Sequence, residues 1–565
     1  MEVPAPTFCP ACRMQRRAVF RNERTFYKRK CDLCKKEIIA IYDSDALFPV
    51  YCNECWYSDN WDALSPGQGY DFSKPFFEQN HELRKKVPRV ATIGRENINS
   101  SYINIGAQNK NCYFLIESST NEDCAYGYWL LDHCKECFDC AFLRKTEIAY
   151  ETQSSWESFS LAFCKDCRTC TESRFLLDCS NVANSLACVN LRNKAHHLFN
   201  QPYTKEDFDK EIAKLDLGSY KNLSALKQTY GEFILKYPRR FAYIVKSVNC
   251  SGDYIVGSNN CRNSFVVEDG DNVRYGVRIM YNVKDVMDAD TIGIGAELCY
   301  ESINTAIGVY NMKFCTRCWT GKDSQYCDNC DNISSCFGCI GLRQKKYCIL
   351  NQQYSKGEYE KLLPRIITQM HSVPYIDVQK KAYRYGEFFP AELSPFAYNE
   401  TAAQKYVPLT EETANEQGFA WKSYEKREYE ITLQTNAIPD HIRDASDSII
   451  HEIIACEHAG TCNEQCPLAF RISSQELTFY RKMNIPLPRL CPNCRHYQRQ
   501  KMQNPNMLWQ RPCQCAGTQS ESRAYQNLGQ HFHDSSHCPN EFLTSYSLEK
   551  PEIVYCEQCY QAEIM

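Results

Sequence analysis

The chain has no run of about 18 apolar residues, so no membrane-spanning helix is expected. Between Met1 and Cys9 there is no room for a charged segment followed by an apolar one, and no signal peptide is expected. An excess of one charge is also missing. Lys+Arg number 65 against 69 Asp+Glu, a net −4, too little for a field that demands a polyanionic partner. No Gly-rich phosphate loop, His-Glu-x-x-His helix or nucleophile elbow is present. These absences rank an enzyme below a binding or structural protein.

What is abundant is cysteine, 36 residues in 565. Small disulfide domains do not usually present tandem Cys-x2-Cys pairs, so reduced, metal-bound thiols in the cytoplasm are expected. A tight turn aims both thiolates of such a pair at one ion, which suits tetrahedral zinc. One framework reads Cys9-Pro-Ala-Cys12-Arg13, then Cys31-Asp-Leu-Cys34, then Cys52-Asn-Glu-Cys55-Trp56. A near-copy reads Cys491-Pro-Asn-Cys494-Arg495, then Cys513-Gln-Cys515, Cys538, and Cys556-Glu-Gln-Cys559-Tyr560. The two frameworks bracket everything else.

Between them the pattern changes twice. Residues 97–203 and 247–354 are rich in Asn, Cys, Ser and Tyr, with short apolar pairs and ten cysteines in each stretch. Asn111-Cys112 and Tyr126-Gly127 reappear as Asn260-Cys261 and Tyr275-Gly276. Cys188, Leu191-Arg192 and Asn200-Gln201 reappear as Cys339, Leu342-Arg343 and Asn351-Gln352. Many short strands broken at similar intervals point to a duplicated β-solenoid. Cysteine-free stretches follow each half. Thr204 and Ser355 read as N-caps of covering helices.

The expected fold is therefore mixed and mainly β: zinc-ribbon modules at both ends flank a duplicated β-solenoid with helical caps. The boundaries are 1–62 for the first module, 63–96 for a connector, 97–203 and 247–354 for the two halves, 204–246 for a helical cap, 355–450 for a cap and linker, and 451–565 for the second module. A helix near 75–86 is expected within the connector.

The spacing predicts three or four zinc ions. Cys31, Cys34, Cys52 and Cys55 form one site. Cys462, Cys466, Cys491 and Cys494 form another, and Cys513, Cys538, Cys556 and Cys559 a third. An insertion carrying His531, His533 and His537 lets Cys515 with a histidine, His533 preferred, make a further site or replace a ligand; Cys456 and His458 add to whichever site is near. Cys9 and Cys12 have no upstream partner pair, leaving a local site, a vestige or a partner's ligands as alternatives. The triplets Cys134-Cys137-Cys140 and Cys164-Cys167-Cys170 suit an iron–sulfur cluster, but compact buried thiols at coil corners are the preferred reading.

Arg13, Arg16, Arg17, Arg21, Arg24, Lys28 and Arg29 form a basic run, echoed by Arg495 and Arg499. One reading is a solvated face; the other is a phosphate-binding surface beside stacking aromatics.

Several motifs together resemble a large uncharacterised family of multi-zinc-ribbon proteins from uncultivated, small-genome bacteria. They are Cys9-Pro-x-Cys12-Arg13, Cys52-x2-Cys55-Trp56-x-Ser58-Asp59-x-Trp61-Asp62, Asn109-Lys-Asn-Cys112-Tyr113, Leu342-Arg343-x-Lys345 and Pro390-Ala-Glu-Leu-Ser-Pro-Phe-Ala-Tyr-Asn399. The resemblance spans nearly the whole chain and implies no activity, substrate or catalytic residue. Members often carry a further cysteine pair ahead of the first Cys-Pro-x-Cys; none precedes Cys9 here.

The leading functional expectation is a non-enzymatic zinc scaffold binding nucleic acid or a ribonucleoprotein through its basic end modules. A protein-interaction module using the solenoid surface comes second. A carbohydrate-active or metal/redox enzyme comes last, with Glu268, Asp269, Asp271, Asp285, Asp288 and Asp290 as carboxylate candidates.

Overall fold

The computed structural model describes residues 4–131, 141–144, 147–150, 153–156, 159–292, 300–303, 313–314, 321–423 and 429–564. Over these residues the chain is mixed α/β, with eleven α-helices, many short strands and no closed barrel. None of the described helices is long and apolar enough to cross a membrane. The Cys134-Cys137-Cys140 triplet lies outside the described residues.

Both ends fold through the same succession. The first runs from helix Pro10–Ala18 to antiparallel strands Tyr27–Lys30 and Glu37–Ala40, then Val50–Tyr51 and the short helix Asn53–Tyr57. The second runs from helix Pro492–Lys501 to Trp509–Pro512 with Glu541–Thr544, then Val554–Tyr555 and helix Glu557–Ile564. Each leading helix starts at Cys-Pro. The cysteine supplies an extended N-cap, and proline has no N–H to leave unsatisfied in the first turn. Val50–Tyr51 pairs in parallel with Arg89–Val90, and Val554–Tyr555 with Arg239–Arg240. Those partner strands lie just before the two middle stretches, so backbone bonds tie each end module to the entry of one of them.

The middle consists of short parallel strands stacked in a regular register. Ser101 faces Tyr113, Lys165 faces Leu177, Arg174 faces Leu186, and Gly321 faces Ile333, each twelve residues on. From Glu96 to Tyr126, and again from Phe163 to Phe199, every third residue has a positive φ. A left-handed residue with a side chain costs roughly 1–2 kcal/mol. Here the side chains at these positions stack on their counterparts twelve residues on. Phe163 lies flat on Phe175 at 4.4 Å, and Phe314 on Tyr326 at 5.0 Å. Asn99 donates to Asn111, which donates to Asp123.

The cysteines of the middle follow these corners. Cys112, Cys167 and Cys330 each donate Sγ–H to the carbonyl two residues back, at 3.2, 3.3 and 3.4 Å. Ser118, Ser173 and Ser185 make the same bond at 2.9, 2.8 and 2.8 Å. The position therefore needs a small side chain with a donor, because the corner leaves an inward carbonyl in a site too tight for more. Cys164, Cys167 and Cys170 are all buried and each donates to the carbonyl two residues before it, which supplies a packing account of that triplet.

Helices cover the flanks. Thr204 caps Lys205–Leu215, Ser219 caps Tyr220–Ile234, and Ser355 with Glu358 forms a capping box on Lys356–Ser372. Phe208, Leu223, Leu226 and Tyr230 join one core with Phe175 and Val189. The connector helix Phe76–Lys86 joins a second core with Tyr326, Phe337 and Ile366. Asn80 reaches the carbonyl of Gly338, and Asn351 donates to that of Ala63. Gly67 fits there because a Cβ would stand 2.3 Å from the Asn351 carbonyl oxygen. The connector thus packs onto the far end of the second stretch.

Candidate metal centres

Each cysteine knuckle is built by a helix start. Cys52 caps Asn53–Tyr57 and its sulfur accepts the N–H of Cys55 at 3.4 Å; Cys491 caps Pro492–Lys501 and accepts that of Cys494 at 3.4 Å. A helix N-terminus and N–H donors favour thiolate, the form that binds metal. A second sulfur receives the capping residue's own N–H: Cys31 from Cys52, Cys456 from Cys491, and Cys513 from Cys556, at 3.3, 3.3 and 3.2 Å. Burial pushes the Cys31 thiol up, but N–H donors from Cys34 and Cys52 bring it down to about 6.

Three groups of four thiols result. Cys31, Cys34, Cys52 and Cys55 converge at the first end, with all sulfurs within 4.8 Å of one another. Cys513, Cys538, Cys556 and Cys559 converge at the second. Cys34 to Cys52 and Cys538 to Cys556 both measure 3.8 Å. Two thiolates on one tetrahedral ion with bonds of about 2.3 Å stand about 3.8 Å apart, so the donor set fits such an ion. The remaining group is Cys456, Cys466, Cys491 and Cys494. Spacing put Cys462 in this set, and the structure puts Cys456 there. The reason is the antiparallel pairing of Ile454–Ala455 with Ala469–Phe470, which brings Cys456 beside Cys491. Cys462 instead joins His458, Glu464 and Cys494. Cys515 and His533 meet His531 and Cys559 in a further group. His537 turns away to the Cys538 carbonyl.

Cys9 and Cys12 repeat the knuckle, with the Cys12 N–H 3.5 Å from the Cys9 sulfur. Both are exposed, and among the described residues no third ligand joins them.

The basic run does not form an open surface, which corrects that expectation. Arg13 pairs with Asp288 at 2.5 Å, and Arg16 with Glu301 and Glu387 at 2.7 and 2.8 Å. Arg17 pairs with Asp290 at 3.2 Å, and Arg21 with Glu23 and with Glu117. Arg278 reaches Glu117 and the Tyr128 hydroxyl, which in turn donates to Glu23. Arg24 lies over the Phe114 ring, Arg29 pairs with Asp32, and Arg495 pairs with Glu476. Arg499 is buried. Four arginines of the helix Pro10–Ala18 and its exit thus enter the protein and meet carboxylates of both middle stretches. Two of the carboxylate candidates, Asp288 and Asp290, are consumed as their partners. Of the basic residues named from sequence, Lys28 alone is exposed, with Lys30, Lys35 and Lys36 beside it on the hairpin that carries Cys31 and Cys34.

Sequence reasoning gave Cys456 and His458 no definite place, held His531 behind His533, and missed Glu464. The signal for Cys456, His458 and Glu464, a Cys-x-His-x3-Cys-x-Glu run on one hairpin, has no knuckle spacing. No family model matches the chain, and no curated protein or solved structure matches it.

Proposed function

We propose that this protein is a non-enzymatic, zinc-bound scaffold of the multi-zinc-ribbon kind its motifs resemble. The observation that carries the reading is the set of three closed four-thiol groups at the two ends. Four thiolates fill a tetrahedral ion, leave no position for substrate, and couple metal binding to folding. The middle is read as a duplicated β-solenoid with twelve-residue turns. Supporting this are the twelve-residue register and the left-handed residue at every third position in each half. Arg13, Arg16, Arg17 and Arg21 then serve as internal ties between the first module and both halves.

Nucleic acid remains the proposed partner, through a narrower surface than the sequence suggested. Lys28, Lys30, Lys35 and Lys36 lie exposed on one hairpin, Lys36 beside Glu54 at 3.1 Å, and offer point charges to a phosphate backbone. The test is binding of single-stranded and duplex nucleic acid to the full chain across a salt series. Binding that weakens steeply with salt, and weakens in K28E/K30E/K35E/K36E, supports the proposal. Undetectable binding at low salt, or binding indifferent to salt, overturns it. Partners that survive nuclease treatment in a pull-down would transfer the reading to a protein-interaction scaffold.

A further inference from the structure

The two mixed groups of the second module are not separate from its four-thiol groups. Each shares one sulfur with its neighbour. Cys494 belongs to the set with Cys456, Cys466 and Cys491 and also to the set with His458, Cys462 and Glu464. Cys559 belongs to the set with Cys513, Cys538 and Cys556 and also to the set with Cys515, His531 and His533. In both cases the shared sulfur is the second cysteine of a knuckle, fully buried at the start of a helix. We infer that each is a bridging thiolate in a two-metal centre, so that the second module holds four ions and the chain five. This rests on the zinc reading above and extends it to ligand sharing.

The distances around the shared sulfurs support two ions each. Cys494 is 3.8 Å from Cys456 in one set and 3.7 Å from Cys462 in the other. Both are the edge expected for thiolates on a common tetrahedral ion, about 3.8 Å. Cys559 lies 3.2 Å from Nε2 of His533, and Cys515 lies 3.5 Å from Nδ1 of His531. Sulfur and imidazole nitrogen on one tetrahedral zinc ion stand roughly 3.6 Å apart.

The histidines are held as ligands are held. A metal-bound imidazole usually gives its other N–H to a carboxylate or a backbone carbonyl, which fixes the tautomer and the ring. Nε2 of His531 lies 2.7 Å from Oε1 of Glu563, whose side chain is fully buried. That carboxylate is itself pinned by the N–H groups of Leu528 and Gly529 and by the Tyr525 hydroxyl. Nδ1 of His533 lies 2.7 Å from the Ser536 carbonyl. Donation at these positions leaves one lone pair of each ring facing sulfur. Asn527 adds an N–H to the Cys515 sulfur at 3.1 Å, as befits a thiolate.

The first centre carries a different signature. Nδ1 of His458 and Oε2 of Glu464 stand 3.2 Å apart without a hydrogen bond between them, and among the described residues neither atom has another partner, while the other Glu464 oxygen, Oε1, accepts from Lys501. Glu464 is only 4% exposed. A buried carboxylate oxygen left without a donor carries a desolvation cost, and a cation shared with His458 removes it. A second ion also relieves charge. That relief holds at the Cys559 centre: four thiolates around one divalent ion leave two negative charges, and five thiolates with two neutral imidazoles around two ions leave one, whereas Glu464 keeps the Cys494 centre at two.

Metal counting on the intact chain tests this, by elemental analysis and native mass spectrometry after zinc loading and removal of unbound ion. Five zinc ions per chain are expected, and four in H531A/H533A. Three ions, unchanged in that variant, would overturn the bridging while leaving the closed sites standing; no metal at all would overturn both. Cobalt(II) substitution gives a readout that needs no variant. A bridging thiolate couples two cobalt spins, so the magnetic moment per cobalt should fall below that of isolated tetrahedral sites. A full, uncoupled moment at five cobalt ions would refute the shared sulfur.

Discussion

Nη2 of Arg21 lies 2.9 Å from a carboxylate oxygen of Glu117, and both side chains are closed off from solvent. Glu117 occupies a left-handed corner of the first stretch, and it also binds Arg278 of the second. One carboxylate therefore locks three parts of the chain. Removing one member of a buried ion pair costs about 3–5 kcal/mol, because the partner stays buried and uncompensated. Glu117→Gln, which neutralises the partner of two arginines, should destabilise the protein by that amount in chemical denaturation. A loss below about 1 kcal/mol would show that the network is not what joins the two middle stretches.

Two glutamates of the network should give opposite pH dependence. Burial pushes Glu301 up to about 7 despite Arg16 and Arg17. Between its ordinary value of 4.5 and 7, the folded chain holds a proton that the unfolded chain has released. Stability should therefore fall as pH rises through that window. Glu23 is also buried, yet Arg21, Arg278 and Lys405 bring it down to about 2. Its contribution is present above 4.5 and is lost as pH falls toward 2. Denaturation midpoints at stepped pH should show a flatter slope for E301Q than for the natural chain between 4.5 and 7. Equal slopes would exclude this account of Glu301.

The two knuckles of the first module should behave differently. Cys52→Ala removes a ligand from a complete set, so the chain should lose one ion and the module should lose protection from proteolysis. The double change C9A/C12A removes an exposed pair and should leave the metal count as it was. Release of an ion from that double variant would mean that the pair holds metal after all.

Interior thiols of the middle should tolerate serine and reject bulk. Cys330→Ser keeps a small donor two residues after the Asp328 carbonyl, as Ser118 does after Ile116. A change under about 1.5 kcal/mol is expected. Cys330→Leu loses the donor and overfills the site, with an expected cost of about 1–3 kcal/mol or more. Thermal melts of the two variants decide it, and equal effects would refute the corner-carbonyl account.

The terminal metal groups were legible because a knuckle is a local object. Two cysteines two residues apart, with proline after the first, already dictate a helix start with both sulfurs on one side, as at Cys491 and Cys494. Cys456 was not legible in that way. It joins the set through a strand pairing that spacing does not announce. Glu464 and His531 were hidden for the same reason, since nothing local separates a ligand from a solvated side chain.

The arginines mark the sharper divide. By itself the sequence determined that a basic run follows Cys9-Pro-Ala-Cys12 and that a cysteine framework closes each end. Whether that run faced water or the interior was decided only when Asp288, Asp290 and Glu301 arrived from more than 270 residues away. A charge run is neutral between the two outcomes, because an arginine is stable in water or beside a buried carboxylate. Only the folded chain supplies the carboxylate.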